Sequence, residues 1–215
     1  MWRGSMTSRL DNFTDAAFAF AVSLMVIGGA GAPENFDALV NALGDLPAFA
    51  FGFAVMAMFW LGHVRWRSAR GEGDWLSVLL TLVLVFLTLA YVQPLRGMAT
   101  ATALWFTGHG RMFGGSLPGL FAVYGTGFVL MSLTMAGLWW EPLRGGRLTS
   151  EQRANARGER GIWIILALTG MVSILVSMTR FGILAAMVYS TLPVTISLFV
   201  LRHEWANKRA VEPAA

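Results

Sequence analysis

Residues 9–27 read RLDNFTDAAFAFAVSLMVI. From Ala16 onward every residue is alanine, aromatic or aliphatic, with Ser23 as the one small polar exception. The stretch therefore reads as an apolar helix with a base, Arg9, and an acid, Asp15, fixed at its entrance. An ionisable side chain in or near lipid is costly and is usually paired. Both charges thus ask for partners elsewhere in the chain.

Composition supports a membrane reading. Of 215 residues, 56% are hydrophobic and 13% charged, whereas a soluble domain carries about 25% charged residues. A hydrocarbon core about 30 Å thick needs about 20 apolar residues per helix. Six such segments with short loops use nearly the whole chain. The net charge of +4 does not point to nucleic acid, because the basic residues lie in short loops between apolar runs. The chain has no cysteine, which excludes disulfides, thiolate metal sites and a cysteine nucleophile.

The sequence predicts an all-α polytopic protein with six spans, near 13–30, 46–66, 75–95, 118–140, 162–179 and 183–201. Residues 1–205 form one transmembrane domain and 206–215 a polar tail. Asp11 or Asn12 is expected to cap the first span. Between the first two spans, Phe36, Leu39, Val40 and Leu43 recur at helical spacing and predict a short amphipathic helix on the membrane surface. Trp60 and Trp66 read as interfacial aromatics, and Arg65, Arg67 and Arg70 as the exit of the second span. Pro94 should stop or kink the third span, leaving 96–117 as a glycine-rich loop. Pro118 suits a first turn, and 141–161 reads as a loop with five arginines. Pro193 should bend the last span.

By this division thirteen Lys and Arg residues fall on one side and three on the other. That bias predicts a multi-pass protein of the cytoplasmic membrane with both termini cytoplasmic. Residues 1–32, with a basic start and Ala30-Gly31-Ala32, also resemble a cleaved leader. Pro33 and the acids Asp11 and Asp15 speak against that reading.

The topology puts Arg9, Asp15, Trp60 and His63 at one interface. Either they form a polar cluster that fixes the first helix, or Asp15 caps or snorkels and His63 is an ordinary interface residue; the residues alone leave both open. Phe20, Leu24 and Ile27 share one helical face, with Ser23 beside it, and such a stripe suits packing or lipid as well as a pore. His203-Glu204 lacks the second histidine of a zinc protease helix, and no phosphate loop or nucleophile elbow is present. No enzyme, metal site or cofactor is expected.

Arg9-x-x-x-Phe13-Thr14-Asp15 resembles the Arg-x-x-x-Phe-Ser-Asp signature that opens the first helix of the endolysosomal leak potassium channel family, transmembrane protein 175. Trp60-x-x-His63 and Gln93-Pro94 are similar to features of that family's second and third helices. The resemblance covers the first three spans well and the rest by hydropathy. It implies a homotetramer in which the first helix of each copy lines a central cation pathway. By position, Phe20, Leu24 and Ile27 would form an apolar constriction, and Ser23 would supply the hydroxyl associated with potassium preference. Arg9, Phe13, Thr14, Asp15, Trp60 and His63 would form the network that holds the helix. The family lacks a carbonyl-lined filter, and this chain has no Thr-Val-Gly-Tyr-Gly; dewetting of a narrow constriction would gate. Thr14 stands for the family's serine, Phe20 for an isoleucine or leucine, and Ser23 for a threonine. The implied partners are other copies of the chain, membrane lipids, and potassium with other monovalent cations as permeant species. The alternative is a proton-coupled or other small-solute transporter using Asp15 and His63.

Overall fold

A computed structural model of the chain describes residues 2–27, 34–44, 46–70, 74–106, 117–144, 148–180 and 182–211. Every regular element among them is helical: α1 (Trp2–Ile27), α2 (Phe36–Gly44), α3 (Leu46–Arg70), α4 (Trp75–Phe106), α5 (Leu117–Arg144), α6 (Ser150–Ser177), a short 3-10 turn (Gly182–Leu184), α7 (Ala185–Tyr189) and α8 (Leu192–Val211).

Among the described residues five helices are long and apolar enough to cross a membrane, beginning with Leu46–Arg70 and ending with Ala185–Trp205. The first helix falls short, although six spans are expected. It starts at Trp2, well ahead of residue 13, so its first half carries Arg3, Arg9, Asp11 and Asp15. Asp11 and Asn12 consequently lie inside the helix and not at its cap. The amphipathic α2 forms where its periodicity places it, with Phe36, Leu39, Val40 and Leu43 all exposed.

Three stretches expected as loop, stop or tail are helix. Pro94 does not end α4, which runs on to Phe106. Proline removes one backbone donor, a loss that membrane helices tolerate where neighbours re-satisfy the turn. Here Leu95, Met98 and Ala99 are buried just past it, so packing carries the helix through. Most of the arginine-rich 141–161 stretch is also helix. Thr149 accepts from the Gln152 amide at 3.2 Å, and the Gln152 side chain accepts from the Thr149 amide at 3.0 Å. This capping box starts α6 at Ser150. The third is the supposed tail from 206, where α8 continues to Val211.

At Pro193 the expected bend is a break. The Ser190 and Thr191 hydroxyls donate to the carbonyls of Met187 and Val188 at 2.6 and 2.7 Å, closing α7. Proline has no amide to continue the ladder, and α8 restarts at Leu192.

α4 sits between α1 and α3 on one side and α5 on the other; α6 packs on α5, α7 and α8. The core is aromatic and methionine-rich. Phe59 stacks on Trp163 at 5.3 Å and meets Phe128 edge-on at 5.7 Å. Gly62 lets this packing close, because a Cβ there would run into the Trp163 ring.

Candidate functional site

The N-terminal half of α1 lies along the C-terminal half of α3. Trp60 Nε1 donates to Asp15 Oδ1 at 2.8 Å, and Arg67 Nε pairs with the Asp11 carboxylate at 2.8 Å. The acid at the entrance of the apolar stretch is thus held by an indole. The helix also carries a second anchor, Asp11–Arg67, that the sequence did not single out. The signal was present: Asp11 precedes Asp15 by one turn, as Arg67 follows His63 by one turn.

The remaining members of the expected network fall differently. Thr14 is fully buried and its hydroxyl donates to the Leu10 carbonyl at 2.8 Å, so it is tied to its own helix. His63 is buried against Trp66 and its Nε2 lies 3.3 Å from the Thr81 hydroxyl of α4. It meets neither Asp15 nor Arg9. Arg9 is exposed and makes no ion pair among the described residues. Phe13 is 54% exposed.

Further ion pairs line the same end of the bundle. Arg70 pairs with Glu141 of α5 and, at 3.6 Å, with Asp74; Arg65 reaches Glu159 of α6 at 3.7 Å. The start of α1, the end of α3, the start of α4, the end of α5 and the first half of α6 are therefore tied together at one level. At the other end Met25 of α1 packs by Gly52 of α3 and Leu95 of α4.

This clamp decides which face of α1 is left over. Ala17, Phe18, Ala21 and Met25 are buried against the bundle. Phe13, Ala16, Phe20 and Ser23 are exposed and follow one another at three- and four-residue steps, with exposed Ala19 beside Phe20, the outer face of the helix. Phe20 is 57% exposed. The Ser23 hydroxyl donates to the Ala19 carbonyl at 2.9 Å, leaving its lone pairs outward. Leu24 is half-buried and packs on the core, at the edge of that face. Ile27 is the last residue of α1, and its side chain lies outside the described residues.

The family model "Endosomal/lysosomal potassium channel TMEM175" matches residues 9–91. A protein of Marivirga tractuosa called "Potassium channel" is 34% identical over 98 residues, 46% of this chain. The match covers 39% of that relative's own length. The fold is similar to a crystal structure of a variant of the potassium channel MtTMEM175, with a TM-score of 0.79 and 24% identity over 93% of both chains. It is also similar to a TMEM175 homologue from Chamaesiphon minutus, described as a lysosomal potassium-selective channel. That likeness has a TM-score of 0.64 and 20% identity, covering 93% of this chain and 98% of the other. These relatives are channels and not enzymes. The TMEM175 family model thus matches the stretch from α1 into α4, and the likeness of fold runs along nearly the whole length of the chain.

Proposed function

We propose that the chain is a potassium-permeable cation channel of the cytoplasmic membrane, working as a homotetramer with α1 from each copy around a central pathway. The observation that carries this reading is the division of α1 into two faces. One is clamped to α3 through Asp11–Arg67 and Asp15–Trp60; the other presents Phe20 and Ser23 outward. The matched family and the relative from Marivirga tractuosa are both named as potassium channels, which supports potassium as the permeant ion.

In this reading Phe20, Leu24 and Ile27 form the constriction. Apolar rings at a narrow point exclude water, and an ion that cannot keep its hydration shell does not pass. Four phenyl groups would close more tightly than smaller side chains. Ser23 gives the layer its hydroxyl oxygen. Asp15 and Trp60, with Asp11 and Arg67 added, hold the entrance beside the buried Thr14 and His63, and Arg9 and Phe13, exposed on a single copy, would complete the network between copies. Both termini face the cytoplasm.

The transporter alternative has less support, because Asp15 and His63 face different partners, Trp60 and Thr81, and share no hydrogen bond. The deciding experiment is ion flux from liposomes holding the full chain. Phe20→Ala is expected to raise resting potassium flux several-fold, with sodium and protons as controls. Unchanged flux, alongside a large effect from a residue on another helix, would overturn the pore assignment.

A further inference from the structure

Away from α1, the end of α5 and the first half of α6 carry arginines that the ion-pair layer does not use. The Trp140 ring has the Arg144 guanidinium carbon 5.1 Å from its centroid and that of Arg160 at 5.6 Å. The two cations thus stand no further apart than the sum of those distances. Neither has a carboxylate in ion-pair range among the described residues, and the acids adjoining them in sequence are engaged elsewhere, Glu141 with Arg70 and Glu159 with Arg65. Exposed Arg157 stands one turn before Arg160 on α6.

Two like charges gathered on one ring repel, and the indole face offsets only part of that. An anion between them would remove the repulsion. Arginine suits a phosphate in particular, since its planar fork offers paired donors. Trp140 is 48% exposed, and a tryptophan near the end of a membrane helix sits at headgroup level. This end also holds most of the chain's basic residues, so it faces the leaflet that carries anionic lipid.

We infer that Trp140, Arg144 and Arg160 form a binding site for the phosphate headgroup of an anionic membrane lipid. The guanidinium groups take the phosphate oxygens, and the indole holds both cations in place beside the glycerol. A solvated arginine patch that merely fixes orientation would bind no lipid in fixed ratio, which gives the test its edge.

The test is native mass spectrometry of the full chain in mild detergent with phosphatidylglycerol or phosphatidylcholine of matched acyl chains. The wild type is expected to retain phosphatidylglycerol in a fixed ratio per chain and to release phosphatidylcholine. Arg144→Gln/Arg160→Gln should weaken retention by about tenfold or more, as loss of charge-assisted hydrogen bonds implies. Arg202→Gln/Arg209→Gln removes the same charge from α8 and should leave retention unchanged. Should the first double variant fail to fold, Trp140→Leu keeps every charge and is expected to weaken retention as well. Equal loss in both double variants, or no preference for phosphatidylglycerol in the wild type, would overturn the site. Displacement of the lipid by millimolar inorganic phosphate would overturn the lipid as its occupant.

Discussion

At the scale of single residues, burial separates two polar contacts that look alike on paper. His63 and Thr81 are 3% and 1% exposed, whereas Trp60 is 37% exposed. Removing one partner of a buried hydrogen bond strands the other, at a cost of about 1–3 kcal/mol, while water can replace a partner at the surface. Thr81→Val is therefore expected to lower thermal stability in detergent more than Trp60→Phe does, even though the Trp60–Asp15 bond is shorter and charge-assisted. A larger loss in Trp60→Phe would mean that the indole is shielded in the assembled protein. The Asp11–Arg67 pair lies between these cases, with side chains 35% and 16% exposed. A double-mutant cycle with Asp11→Asn and Arg67→Gln should return a coupling on the order of 1 kcal/mol, above the median for surface pairs. Arg9→Ala should change the stability of a single copy by less than about 0.5 kcal/mol, as expected for a surface change away from any paired group. Asp15 and Trp60 were legible as partners because a signature and a shared depth pointed to them, whereas Phe13, from the same signature, is exposed. Thr81 was not, because nothing in an apolar run tells which of its hydroxyls faces a histidine.

At the scale of elements, close packing at glycine decides how α3 meets α6. Gly62 faces the Trp163 ring, and a methyl group there collides with it. That ring is itself stacked on Phe59 and buried, so it cannot swing aside as a flexible chain end would. Gly62→Ala is expected to destabilise by about 1–3 kcal/mol, the usual cost of overpacking. Gly52→Ala should cost less, since its added methyl meets the movable end of Met25. Thermal unfolding of both variants checks the order, and equal shifts would mean that the Trp163 ring has room to move. The helices were legible from hydropathy, but their ends were not. Pro94 promised a stop or a kink, and buried Leu95 and Met98 override the stop. At Thr149-Ser150-Glu151-Gln152 the capping box was in plain sight, yet the arginines beyond it read as loop. On a helix that rises out of the bilayer, charge marks the water level and not the end of the helix. The first half of α1 was missed for the same reason.

At the scale of the whole molecule, the ion pairs give a way to test orientation without relying on a charge count. They fasten Asp11 to Arg67, Arg70 to Asp74 and Glu141, and Arg65 to Glu159. All of these residues therefore share one end of the bundle, whichever side of the membrane it faces. The basic excess predicts that end in the cytoplasm. Ser68 stands there, on the last turns of α3, and is exposed; Asp37, on α2 beyond the opposite end of α3, is exposed too. The chain has no cysteine of its own, so a single introduced thiol is read against no background. In intact cells, Asp37→Cys is expected to react with a membrane-impermeant maleimide, whereas Ser68→Cys should react only after permeabilisation. The reverse pattern would turn the protein over, put the clamped end of α1 outside and move the proposed lipid site to the other leaflet. Labelling of both thiols from outside would mean that α3 does not cross the membrane. Because α1 is fixed to α3 by two polar contacts, the result for Ser68 also fixes the order of Phe20 and Ser23 along the proposed pathway: counted from the clamped end, the phenyl ring comes first and the hydroxyl one turn later.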